Sequence, residues 1–243
     1  MNFKLKKEAI DFRSELGFGE TDSVNLKSLL IKLDVIAVFK SISDSISGMA
    51  VKTPVKNFIL INSLHSVGRQ NFSICHELFH LYKQEGFIPH HCKAGSFDKD
   101  VQTEWMADVF ASYFLIPDGG ILHLIPDTEV SKRDRITIET VLKIENYFGC
   151  SRSALLYRLK EMSIITSGKY EELSQNVRRT AKEYGYSTEL YEPGNEGLVI
   201  GNYGVLAKQL FDKEKISEGH YYSLLSDIGI DLFNSDVDGG SDR

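Results

Sequence analysis

The chain has 243 residues, 42% of them hydrophobic and 26% charged, and carries a formal net charge of −6. This is the composition of a soluble globular protein, and its acidic balance gives no global pull toward nucleic acid or anionic lipid. No run approaches the roughly 20 apolar residues of a membrane-spanning helix, and the basic start "MNFKLKKEAI" lacks the apolar stretch of a signal peptide. Three scattered cysteines, Cys75, Cys92 and Cys150, argue against a disulfide-built fold and are expected as reduced thiols in a cytoplasmic protein.

Apolar residues at helical spacing predict helices over 6–16 and 25–34. Short runs rich in Val, Ile and Phe at 35–39, 48–51 and 57–62, separated by Ser, Asp, Pro and Gly, predict strands of a small antiparallel sheet. A long apolar face from Leu64 to Tyr82 predicts the next helix, and Gly, Pro and polar residues make 86–101 a loop. A second strongly apolar helix is expected over 102–116, followed by one short helical turn at 119–125. Helices are predicted at 137–149 and 151–164, the latter with Ser151 as N-cap. A polar amphipathic helix at 170–184, a short strand at 198–200 and helices near 203–212 and 217–228 complete the reading. The expected fold class is α+β with helices dominating.

The chemistry concentrates in "FSICHELFHLY", residues 72–82. His76 and His80 lie one helical turn apart on one face, so both imidazoles can approach a single zinc ion. Glu77 sits beside them, placed to act as general base on an attacking water. Ile74, Leu78 and Phe79 make this an apolar helix, where unpaired polar side chains are costly. Catalytic zinc usually takes three protein ligands, and the best third candidate is Glu104 in "EWMADVFASYFLIP". Asp108, one turn on, can accept the N–H of a ligand histidine and fix its tautomer. One Zn²⁺ per chain is expected. The rival cluster His90, His91 and Cys92 lacks the four ligands of a structural zinc site, so its loop is expected to border the active cleft. His91, Tyr82, Tyr113 and His123 are all open candidates for stabilising an oxyanion.

The paired motifs resemble those of the ImmA/IrrE family of bacterial and phage zinc metallopeptidases. Matched to its His-Glu-x-x-His helix, His76 and His80 look like metal ligands and Glu77 like the base. Matched to its second helix, Glu104 looks like the third ligand, with Ala107, Phe110, Ala111, Leu115 and Pro117 at packing positions. Two departures are Phe79, where a small Gly is common before the second histidine, and Asp108-Val109, where Asn followed by an aromatic or Arg is frequent. The Glu104–Asp108 spacing also has a thermolysin-like look. The resemblance implies a helix-rich zincin-like metallopeptidase core over 1–130 and a helix-turn-helix-like part over 131–166. A C-terminal helical region over 167–235 and a disordered tail at 236–243 complete the expected organisation. It further implies a protein substrate, a helix-turn-helix transcriptional repressor encoded nearby, inactivated under stress.

Two competing readings come from the same residues. Positions 132–160 carry seven Lys/Arg against three acids, and Ser151, Arg152 and Ser153 could contact phosphates as part of a DNA-binding regulator. Alternatively, the zinc site is structural or silent in a partner-binding, toxin–antitoxin-like protein.

Overall fold

The computed structural model describes residues 2–87, 89, 91–97 and 101–230, the side chains of Asn2 and His91 excepted. The predicted tail at 236–243 lies outside the described residues. The chain opens with α1 (Asn2–Glu15) and α2 (Leu26–Lys32), then β1 (Val35–Lys40), β2 (Gly48–Lys52), β3 (Asn57–Asn62) and α3 (Val67–Tyr82). Next come β4 (His91–Cys92), α4 (Gln102–Leu115), α5 (Asp118–Leu124), α6 (Asp127–Val130), α7 (Ile138–Phe148) and α8 (Arg152–Glu161). The remaining elements are α9 (Ser167–Leu173), α10 (Val177–Glu183), a 3-10 turn (Glu189–Tyr191), β5 (Val199–Ile200), α11 (Tyr203–Asp212) and α12 (Glu218–Asp227). Helices dominate an α+β fold, as the periodicity predicts.

The five strands lie in the order β4-β2-β3-β1-β5. This sheet is mixed and not the antiparallel one expected: β3 runs parallel to β1, with Val35 opposite Asn57 and Lys40 opposite Asn62, while β2 is antiparallel to β3. The reason is the connection at 41–47, which carries the chain past one strand position so that the β2–β3 hairpin folds β3 back between its neighbours. Asn62 pins that connection. Its side-chain amide donates to Ser43 O at 3.0 Å and Ile46 O at 2.8 Å, and its Oδ1 accepts from Ile42 N. β1 is consequently an inner strand, and Val35, Ile36, Ala37 and Phe39 are all buried, the near-continuous apolar pattern of a strand covered on both faces.

α3 packs on β2 and β3, and α4 packs on α3 and on α1. In α1, Leu5, Ala9, Phe12 and Leu16 recur at helical spacing and are buried, so one stripe faces α4. The Phe12 ring lies 6.0 Å from Phe110 and 5.6 Å from Phe114. Phe79, which stands where a small Gly is common in the resembled motif, fills the seam between α3 and α4 with its ring 5.5 Å from Phe110.

α7 and α8 join this core through Val141, Ile144, Phe148, Leu155 and Leu159. Gly149 ends α7 in the left-handed region at φ 61°, and the predicted N-cap Ser151 accepts from Ala154 N. The expected helix at 170–184 is instead two, α9 and α10, because Asn176 adopts φ 50° and the Ser174 hydroxyl bonds back to Glu171 O. Local side-chain bonding of this kind competes with helix continuation. The strip around 189–201 is stitched to the start of α3: Val67 N donates to Glu192 O at 2.9 Å, and the Gln70 amide donates to Gly194 O at 2.9 Å. α11 and α12 pack chiefly on each other, with Phe211 stacked on Tyr221 at 5.1 Å. No helix among the described residues is long and apolar enough to cross a membrane.

Candidate metal centre

From Phe72 to Leu81, α3 is buried all round. Phe72, Ile74, Cys75, Leu78, Phe79 and Leu81 supply its apolar surface, yet His76, Glu77 and His80 are fully buried among them. Three polar side chains in such a helix require partners. α4 provides them, because its spacing of four residues turns Glu104 and Asp108 to the same side.

His76 Nδ1 donates to Asp108 Oδ1 at 2.8 Å, and His80 Nδ1 donates to Gln84 Oε1 at 2.5 Å. With each Nδ1 engaged in this way, the two Nε2 atoms are left turned inward as candidate ligands. Those two Nε2 atoms face each other at 3.1 Å. Glu104 closes the figure, with Oε2 3.3 Å from His76 Nε2 and Oε1 3.3 Å from His80 Nε2. Around tetrahedral zinc with N and O ligands at about 2.0–2.1 Å, neighbouring ligand atoms stand about 3.3–3.4 Å apart. The residues present therefore fit a small tetrahedral cation. Glu77 Oε1 adds to this, being buried with no hydrogen bond among the described residues.

The electrostatics agree with that fit. Burial pushes the Glu77 carboxyl above its ordinary range, opposed by the nearby imidazoles of His76 and His80. Burial also pulls His76 down, but the hydrogen bonds with Asp108, Cys92 and Glu104 outweigh it and carry the imidazole well above its usual value. Three carboxyl groups thus converge on two imidazoles in a buried site, a set of groups that a bound cation would compensate.

Asp108 does more than the spacing alone implies. Its Oδ1 also accepts from Gly95 N at 2.7 Å, and its Oδ2 accepts from Phe97 N at 2.7 Å. The same carboxylate orients His76 and fixes the loop after β4. Gly48 of β2 lies against the base, since a Cβ there would stand 2.8 Å from Glu77 Oε1 and 2.9 Å from Leu60 O.

Cys92 enters the same cluster. His76, His80, Cys92 and Glu104 each offer one ligand atom, all within 4.8 Å of one another. The spacing of a two-residue strand gives no periodic signal, so sequence reading could only group Cys92 with His90 and His91. His90 and the His91 side chain lie outside the described residues. Gln84 was also not foreseen, although its place four residues after His80 is a readable signal.

Other candidates fall elsewhere. Tyr82 OH donates to Leu33 O at 3.3 Å, Tyr113 OH donates to Glu161 at 2.9 Å beneath the Arg158 guanidinium, and His123 is exposed on α5. None reaches the cluster. Arg152 is not available to phosphates: it is buried, paired with Glu145 and donating to Leu173 O at 2.9 Å. The physical reason is the tight turn at Gly149, which brings Glu145 back over the start of α8. Arg158 is likewise internal, paired with Asp118 and Glu161, so two of the seven cations at 132–160 belong to the core.

The family model of the IrrE N-terminal-like domain, a peptidase family, matches residues 32–160. That span holds β1 through nearly all of α8 and every residue of the cluster. No curated protein matches the chain. Among solved structures, a Mycobacterium tuberculosis transcriptional regulator is similar at 14% identity with a TM-score of 0.44, over 65% of this chain and 46% of that one. The chain thus spans less than half the length of that protein.

Proposed function

Because the chain belongs to the IrrE N-terminal-like domain family of peptidases, we propose that it is a zinc-dependent endopeptidase acting on a partner protein. In this reading His76, His80 and Glu104 hold the metal and Glu77 is the general base. The observation that carries it is the convergence of the His76 and His80 Nε2 atoms and the Glu104 carboxylate at tetrahedral spacing, with Glu77 beside them.

Zinc, when bound, would polarise the scissile carbonyl and acidify the attacking water. Glu77 takes the proton of that water and returns it to the leaving amine. Its buried position suits the task, because a raised pKa makes the carboxylate a stronger base toward that water than an exposed one and brings it nearer the operating pH. Asp108 holds His76 in the tautomer that ligation needs, and Gln84 does so for His80.

The substrate backbone lies extended on the outer edge of β2, where Gly48 brings the strand against the base. A cavity of about 360 Å³ next to the loop at 94–97, with Arg69, Lys93, Phe97 and Tyr157 in its wall, receives an acidic or aromatic substrate side chain. The natural substrate is a helix-turn-helix repressor encoded nearby, in keeping with the family resemblance. Incubating the zinc-loaded protein with that repressor and weighing both by intact-mass spectrometry tests the reading. Two fragments whose masses sum to the repressor plus one water are expected; an unchanged repressor mass overturns it.

A further inference from the structure

We propose that Cys92 is a fourth protein ligand of the metal and that β4 thereby holds the site closed until substrate replaces it on β2. This inference rests on the metal site proposed above. Cys92 is buried, and its Sγ stands 3.9 Å from Glu104 Oε1 and 3.6 Å from Glu77 Oε2. With sulfur at about 2.3 Å and nitrogen or oxygen at about 2.0–2.1 Å, the sulfur-to-ligand edge of a zinc tetrahedron is about 3.6 Å, so the 3.9 Å to the ligand Glu104 needs only a small inward shift of the thiol. Two imidazoles, a carboxylate and a thiolate form a complete four-coordinate set. Catalytic zinc keeps one position for water, whereas closed sets are the mark of structural sites.

The backbone around Cys92 supplies the second half of the inference. Cys92 pairs opposite Gly48 and His91 opposite Met49 in an antiparallel register, and Ser47 N donates to Cys92 O at 2.8 Å. β4 therefore occupies the outer edge of β2 beside Glu77, the place where an extended peptide would add as a strand. One segment competes twice: its sulfur with water for the metal, and its backbone with substrate for β2. A substrate strand that takes the β2 edge lifts β4 away and carries the sulfur with it, so opening of the metal site is coupled to the arrival of a peptide. Among the described residues, only His91 and Cys92 of β4 pair with β2, so the device is short.

X-ray absorption at the zinc edge of the wild-type chain tests the ligand without any substitution. One sulfur neighbour at about 2.3 Å is expected; a first shell of nitrogen and oxygen alone overturns the proposal while leaving the metal site standing, and a chain that binds no zinc overturns both. Closure is tested on cobalt-substituted wild type and Cys92→Ser, with acetohydroxamate as the probe for an open position. The hydroxamate should perturb the variant's visible spectrum at concentrations at least roughly tenfold lower than the wild type's, since an internal ligand taxes the affinity of an external one. Equal sensitivity overturns the closing role.

Discussion

Asp108 spends two oxygens on three donors, the His76 imidazole and the backbone N–H groups of Gly95 and Phe97. Asp108→Asn leaves one oxygen for His76 and Gly95 and turns an amide toward the Phe97 N–H, donor against donor. The expected outcome is about a 10–100-fold loss of zinc affinity and a destabilisation of about 1–3 kcal/mol from the unsatisfied N–H. Competition with a chromogenic chelator and urea unfolding measure the two; an unchanged zinc dissociation constant would show that Asp108 serves the loop alone. Gly48→Ala asks a different question. Its Cβ would collide with Glu77 Oε1 and with the Leu60 carbonyl, which is backbone and cannot swing aside. Displacing the base without touching a ligand should leave one zinc per chain and lower turnover by at least roughly tenfold, since small misplacements of a catalytic group are costly. Turnover equal to wild type at equal zinc content would contradict this placement of the base. The histidine pair and both acids were legible in the sequence because each is a same-face pair at helical spacing. Gly48 was not, because its role depends on which strand packs over Glu77.

At the scale of elements, the helices were the easier part to read. α3 and α4 announce themselves by long apolar runs, and α8 by a capping serine after a glycine. The parallel pairing of β1 with β3 was hidden, since it depends on a crossover held by Asn62 and not on any pattern within the strands. β4 is too short for periodicity and entered the reading only as a cysteine among histidines. The α7–α8 pair shows how charge counts mislead: Arg152 reads as a cation at a helix start, yet its role is to neutralise buried Glu145, which Tyr191 also bonds at 2.7 Å. Burial pushes the Glu145 carboxyl upward, and Arg152 and Tyr191 pull it back. Arg152→Met should therefore cost about 3–5 kcal/mol, the penalty of leaving a buried charge uncompensated, with zinc content per folded chain unchanged. Urea denaturation checks it. A variant as stable as wild type that has lost affinity for a DNA duplex would restore the nucleic-acid reading.

For the molecule as a whole, the candidate cluster joins two core helices to the sheet, so a metal bound there would be linked to the fold. With free zinc about 1,000-fold above its dissociation constant, binding adds about 4 kcal/mol to stability. Stripping the metal should lower the melting temperature by roughly 8–16 °C for a chain of this size, read by calorimetry before and after chelation and again after zinc is restored. A melting temperature indifferent to chelation would mean that the α3–α4 cluster holds no ion. The central claim concerns what the site does once loaded, and Glu77→Gln isolates it: length and packing are kept, and only the carboxylate that accepts a proton is removed. The decisive measurement is the cleavage rate of the neighbouring repressor by wild type and Glu77→Gln at matched zinc content. The variant should hold its zinc and bind the repressor while cleavage falls by at least roughly 100-fold. A variant that cleaves the repressor as fast as wild type would contradict the assignment of Glu77 as the base and the hydrolytic account built on it.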